Sequence, residues 1–172
     1  MEAVMKNIKV GKLTLNVGAG KDQAKLDKGV MLIKHITGIE PVKTVTNKRI
    51  PNWGLRPGLP IGCKITLRKD AASSLLRRLL EAKSNQLLKR QFDENGNVSF
   101  GVHEYIDIPG VKYEPKIGVM GFEACVTLER PGYRITKRRL RRTSIPTKHR
   151  IKRDEAIAFM QKEFNAKIGE EE

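Results

Sequence analysis

A chain of 172 residues is one compact domain, or one domain with an appended arm, rather than two large domains. Its 34 Lys and Arg against 19 Asp and Glu leave a formal net charge of +15, an excess that points to a polyanionic partner. No run of about 18 apolar residues occurs, so no helix of this chain should span a bilayer, and the two cysteines, Cys63 and Cys125, supply neither a disulfide framework nor a Cys-rich zinc site.

Met1-Glu2-Ala3-Val4-Met5-Lys6 carries an acid where a secretory signal carries bases, so a cytoplasmic, reducing location is expected with no membrane partner. The first element, Lys12 to Val17, alternates strictly: Leu13, Leu15 and Val17 share one face of a half-buried strand, and Lys12, Thr14 and Asn16 share the other. Gly18-Ala19-Gly20 breaks the strand. Asp22 is placed to cap a helix carrying Leu26, Val30 and Ile33, and Gly38 to end it. Val42 to Arg49 is rich in β-branched residues and predicts a second strand; the Pro- and Gly-rich stretch from Ile50 to Pro60 predicts a long loop.

Ile61, Cys63, Ile65 and Leu67 alternate against Gly62, Lys64, Thr66 and Arg68, again one apolar face and one basic face. Asp70 is a candidate cap for a second helix whose leucines, Leu75 to Leu88, recur at helical spacing up to about Phe92. A turn at Asp93 to Asn97 leads into an alternating run from Val98 through Ile108, and Phe122, Ala124, Val126 and Leu128 form another. A last helix is expected from about Asp154 to Lys167. This order predicts an α+β fold, a mostly antiparallel sheet of about four to six strands with helices packed on one face. The expected organisation is an α+β body over residues 1–133 and a basic arm with a C-terminal helix over 134–172.

Catalysis finds little material in these residues. His35, His103 and His149 show no ligand spacing, and Glu104 and Asp107, three apart on the expected strand, would point to opposite faces. Glu123 and Glu129 share a face but would lie about 20 Å apart. Gly18-Ala19-Gly20-Lys21 between a strand and a helix resembles a phosphate-binding turn, yet the spacing fails both the Walker A and the GxGxxG patterns. A tight turn, a nucleic-acid phosphate contact and a nucleotide-dependent enzyme remain the readings there. No cofactor, metal or catalytic residue is expected.

The positive signal is electrostatic. Residues 61–130 carry 11 bases and 9 acids, whereas residues 1–60 carry 11 and 4. From Arg134 to Arg153 there are ten bases, Arg134, Lys137, Arg138, Arg139, Arg141, Arg142, Lys148, Arg150, Lys152 and Arg153, and no acid. Together with the strand faces Lys12/Thr14/Asn16 and Lys64/Thr66/Arg68, this run suits backbone contacts to a folded RNA. A DNA-packaging role is the rival reading among polyanion binders. Aromatic residues are 5% of the chain, and no aromatic RNP pattern occurs, which favours shape recognition over single-strand reading. Trp53, the one tryptophan, is either an anchor folding back on the body or a contact tip.

Five segments, Lys12 to Gly20, Pro60 to Arg68, Asn97 to Asp107, Arg130 to Arg134 and Lys148 to Arg150, occur in an order and spacing that resemble the 5S rRNA-binding protein five family of the large ribosomal subunit, in its archaeal and eukaryotic form. The resemblance runs from about Met5 to Ile168. It implies a curved antiparallel sheet, backed by helices, that grips 5S rRNA in the central protuberance. By position the family's RNA-contacting strand residues would be Asn16 and Thr66, with Lys12, Thr14, Lys64 and Arg68 nearby; Lys21, Lys43 and Thr44 complete the expected RNA-binding set. The implied contact with P-site tRNA lies in the 50–60 loop, at Asn52, Trp53 and Arg56, although bacterial and many eukaryotic relatives have Phe where this chain has Trp53. The basic arm, Lys137, Arg138, Arg139, Arg141, Arg142, Lys148 and Arg150, resembles the archaeal and eukaryotic members. Further implied partners are large-subunit rRNA, neighbouring large-subunit proteins and, across an intersubunit bridge, a small-subunit head protein.

Overall fold

Strand β1 (Lys9–Gly18) lies at the middle of a five-stranded antiparallel sheet in a computed structural model that describes residues 4–169. Residues 1–3, the start of the leader reading, and residues 170–172, the end of the expected arm segment, lie outside the described residues. On one side β1 pairs with β3 (Pro60–Leu67), which pairs with the edge strand β2 (Val42–Val45). On the other side it pairs with β6 (Phe122–Glu129), which pairs with β5 (Asn97–Val102). A bulge between Val10 and Lys12 shifts the β1–β6 register at Gly11.

The pleat separates the two faces as alternation requires. Leu13, Leu15, Val17, Cys63, Ile65, Leu67, Ala124, Val126 and Leu128 are all buried on one side. Helices α1 (Gln23–Thr37) and α2 (Lys69–Ala82) cover that side with Leu26, Leu32, Ile33, Leu75, Leu76, Leu79 and Leu80. α1 approaches so closely that a Cβ on Gly29 would lie 2.9 Å from Val17 Cγ1. Asp22 caps α1 by accepting from the Ala24 and Lys25 amides, and left-handed Gly38 ends it with its amide on the Lys34 carbonyl.

Several expected boundaries move. β2 stops at Val45 rather than Arg49, because Thr46 turns inward and its backbone bonds to Leu59 and Gly58 across the loop base. Arg68, not Asp70, occupies the N-cap of α2, and Asp70 sits in the first turn. α2 ends at Ala82, where Ser84 and Asn85 take left-handed φ of 54° and 57° and Asn85 donates its amide back to the Leu80 carbonyl. Leu87 is therefore buried from a short strand, β4 (Gln86–Leu88), parallel to β7 (Lys167–Gly169). β5 stops at Val102, leaving His103 beyond it. Tyr105–Asp107 is a 3-10 turn that buries Tyr105 and Ile108 and leaves Ile106 exposed. Glu104 and Asp107 thus flank a turn rather than share a strand. Helix α3 (Arg153–Phe164) is shorter than expected, ended by left-handed Asn165.

Because β1 is the central strand of the sheet and lines the core beneath the helices, core damage there should unfold the whole sheet. Leu15→Ala should cost about 2–5 kcal/mol through lost transfer energy and a residual cavity, checked by urea unfolding followed by circular dichroism.

Candidate nucleic-acid interface

The face opposite the helices is polar and lies open or half-buried, and the register arranges it in rows. Lys64 stands opposite Asn16, and Thr66 opposite Thr14 with the two hydroxyl oxygens 3.4 Å apart. Carried one residue further, the same register sets Arg68 opposite Lys12. Thr44, Gly62 and Gly18 form the next row. Gly62 permits close approach there, since a Cβ would lie 2.7 Å from the Val17 carbonyl oxygen and 3.1 Å from Thr44 Oγ1.

Continuing across β6 and β5, Asn16 faces Glu123 and then Gly101, Thr14 faces Cys125 and then Ser99, and Lys12 faces Thr127 and then Asn97. The cationic surface thus occupies the β3–β1 half of the sheet, and the other half is neutral to acidic. The alternation of Phe122 to Glu129 places Glu123 on a polar face; that this face adjoins Asn16 depends on strand order. Burial, followed by the neighbouring Glu123 charge and a hydrogen bond to it, pushes the Cys125 thiol above its ordinary value, against a smaller opposing pull from Lys12. Cys63, buried beneath α1, is raised by burial in the same way, with Lys43 pulling weakly the other way. Neither thiol has the character of a reactive thiolate.

Two of the sequence-derived contact residues lie elsewhere. Lys43 pairs in register with Cys63 and so projects to the helix side, where its Nζ lies 3.3 Å from Asp27 Oδ1. Lys21 belongs with the loop: its Cδ would lie 3.6 Å from a Cβ on Gly54. The Gly18 to Lys21 turn holds no phosphate cradle. The Ala19 and Gly20 amides donate to the Ile61 carbonyl, and Asp22 already occupies the first amides of α1.

The loop after β2 is a folded projection. Ile50 and Leu55 exchange backbone hydrogen bonds, Pro51–Trp53 makes one 3-10 turn, and Gly54 turns the chain at φ 66°. Leu55 is the buried anchor, while Trp53 is 67% exposed at the tip between exposed Asn52 and Arg56. Of the two roles open to Trp53, the contact tip is the one its exposure fits.

The arm from Arg134 to Lys152 is irregular apart from two 3-10 turns, yet it is pinned to the body. Arg130, buried at the end of β6, donates to the carbonyls of Lys6, His149 and Arg150 and forms an ion pair with Glu155 at 2.8 Å. The Tyr133 hydroxyl donates to the His149 carbonyl and accepts from the Ile151 amide, and His149 Nε2 donates to the Pro131 carbonyl. Ile151 is buried against Gly96, where any Cβ would lie 2.6 Å from Ile151 Cγ2. Sequence reasoning missed this clamp. Its signal, a single base directly after an apolar strand, is indistinguishable from a surface Arg until the fold buries it. Within the arm Lys137 is spent on Glu129 and the Arg138 Nε on the Arg141 carbonyl, whereas Arg139, Arg141, Arg142 and Lys148 are exposed. Among the described residues no cluster of three or more His, Cys, Asp or Glu could hold a metal ion, and no helix is long and apolar enough to cross a membrane.

Comparison with known proteins gives two matching family models. One described as ribosomal protein L5 matches residues 3–56, and one for the C-terminus of the same ribosomal family matches residues 60–163. The chain is 44% identical over 167 residues to the large ribosomal subunit protein uL5 of Sulfolobus acidocaldarius, covering 97% of this chain and 94% of that protein. It is 45% identical over 169 residues to uL5 of Nanoarchaeum equitans, covering 98% and 99%. With uL5 of Methanobrevibacter smithii the identity is 40% over 161 residues, covering 94% and 95%.

Burial alone would raise the Glu155 carboxyl, but the Lys152 amide and the Arg130 guanidinium outweigh it and hold its pKa below the ordinary 4.5. The depressed value means that the clamp's stabilisation is in place above the ordinary carboxylate range and is lost as pH falls through the folded value. Acidification from about pH 5 to about pH 3 should therefore lower the hydrogen-exchange protection of the arm amides, taken relative to the unprotected rate at each pH, more in the wild type than in Glu155→Gln. Arg130→Ala, which orphans three carbonyls, should cost about 3 kcal/mol by thermal or urea unfolding.

Proposed function

The chain belongs to the ribosomal protein L5 family, and from that premise we infer that the cationic half of its open sheet face binds 5S rRNA. It is a structural component of the large ribosomal subunit with a role in translation, acting on the ribosome in the cytoplasm, and it is not an enzyme. The observation that carries the RNA-binding reading is the pair of rows Lys64–Asn16 and Thr66–Thr14, bounded by Lys12 and Arg68, on a face no helix covers. Short hydroxyl and amide groups beside cations hold phosphate and ribose oxygens at fixed spacing, while the rigid sheet supplies the shape to which a folded RNA must conform. Thr44 extends this surface toward the sheet edge, and Lys43, committed to Asp27, is outside it.

The Trp53 projection is the proposed tRNA contact. Its exposed indole, with Asn52, Arg56 and the adjacent Lys21, can stack on a ribose or base and pair with phosphate at the elbow of P-site tRNA. The exposed arm bases, Arg138, Arg139, Arg141, Arg142, Lys148 and Arg150, are proposed to reach rRNA phosphates within the central protuberance. Contact with neighbouring large-subunit proteins and with a small-subunit head protein across an intersubunit bridge completes the proposed role.

The test is a salt titration of binding to 5S rRNA with duplex DNA and an unrelated tRNA as competitors. Tight binding that survives both supports shape-specific recognition; equal displacement by all of them would leave only the net charge of +15 as the cause, and a preference for the duplex would point to DNA packaging. Asn16→Ala with Thr66→Ala should weaken 5S rRNA binding about tenfold or more while Lys43→Ala leaves it near wild type. Unchanged affinity in the double variant would remove the strand face from the interface. Arg138→Glu with Arg139→Glu should weaken binding and reduce the steepness of its salt dependence, since fewer counterions are released.

A further inference from the structure

We propose that a groove between the arm and the β5 turn seats a single unpaired nucleobase of ribosomal RNA, a site distinct from the sheet face and resting on the RNA-binding reading above. The groove has a volume of about 220 Å³ and is lined by Asn95, Tyr133, Thr136, Ser144, Ile145 and Arg150. Its floor is apolar, from the Tyr133 ring and the buried Ile145. Its walls are held still by their own bonds: Thr136 Oγ1 donates to the Tyr133 carbonyl, the Tyr133 hydroxyl is tied to His149 and Ile151, and Arg150 Nε donates to the Ile145 carbonyl.

What remains uncommitted is chemically specific. Among the described residues the terminal nitrogens of Arg150, the side-chain amide of Asn95 and the hydroxyl of Ser144 make no hydrogen bond within the protein. A phosphate could take the guanidinium, the amide and the hydroxyl but would leave the apolar floor without a partner. A nucleobase uses all of them: a flat face over Tyr133 and Ile145, and edge donors and acceptors toward amide, hydroxyl and guanidinium. The surroundings favour RNA over a protein side chain. The arm carries ten bases and no acid from Arg134 to Arg153. The carboxylate of Asp93, near the groove, is engaged by the backbone N–H of Asn95 and by both nitrogens of Asn97. Exposed Arg142 and Lys148, two residues from Ser144 and Arg150 along the chain, are available to the phosphates of an extruded base.

The experiment uses the full chain and total large-subunit rRNA, 5S included, in filter binding over a salt series. Two variants fill the groove from different walls without changing charge, Ser144→Trp and Asn95→Trp; both positions are exposed, so either can carry the test if the other lowers the melting temperature. The expected result is a loss of affinity of about tenfold or more at every salt concentration, with the slope of the salt dependence unchanged, because a stacked base and not a phosphate contact is lost. Ultraviolet irradiation of the wild-type complex should also yield a nucleotide adduct on Tyr133. Variants that melt and bind like the wild type would overturn the proposal and leave the groove to a neighbouring protein. Which RNA the wild type retains tests the 5S reading separately, since the ratio of variant to wild type is taken on whatever RNA is bound. A wild type that retains no rRNA would overturn both.

Discussion

The pleat of β1 is the constraint on which the rest of the molecule rests. This strand is paired on both edges, buries Leu13, Leu15 and Val17 under two helices, and presents Lys12, Thr14 and Asn16 on the other side. A slip of one residue against either neighbour would drive a Lys, a Thr and an Asn into the core and expose three apolar side chains. The register of the polar face is thus enforced by the hydrophobic energy of the face nobody sees from outside. The pairing of Thr14 with Thr66 is a by-product of Leu15 meeting Ile65.

Strand order adds a polarity that periodicity alone does not contain. Both neighbours of β1 alternate, but β3 brings Lys64 and Thr66 while β6 brings Glu123 and Cys125. The open face is thus cationic over β3 and β1 and acidic at Glu123, with the Trp53 projection at one end and Lys12 and Arg68 at the other. Arg130, directly after β6, holds the basic arm to the body.

Much of this was legible in the residues themselves. Strict alternation in Lys12 to Val17 and Ile61 to Arg68 depends only on which face is wet, and the caps Asp22 and Gly38 are local chemistry, so strands, helix start and helix stop were all readable. The reading failed where two patterns overlap. Leu87, Leu88 and Phe92 continue a helical spacing, but the left-handed turn at Ser84 and Asn85 redirects the chain into β4, whose partner β7 lies far away in sequence. Ile106 and Ile108 continue an alternation that the 3-10 turn at Tyr105 ends, because burying the Tyr105 ring with its hydroxyl accepting from the Glu114 amide outweighs one more rung of ladder. Lys43 could not be assigned a face from a β-branched run with no apolar alternation, and only its pairing with Cys63 decides it. The resemblance to a known family supplied the functional frame; the partition of the basic residues into face, tip, arm and ion pair required the fold.

Arg130 grips the arm by backbone carbonyls, those of His149 and Arg150, and the Tyr133 hydroxyl adds another bond to the same main chain. Such a clasp is indifferent to most of the side chains it holds. The exposed bases Arg139, Arg141 and Arg142 take no part in that attachment, which rests on main-chain bonds, on the fit of Ile151 beside Gly96, on buried Ile145 and on the Lys137 pair with Glu129. The fold therefore separates two kinds of constraint: an attachment point set by steric fit, and an exposed row of cations that the attachment does not need.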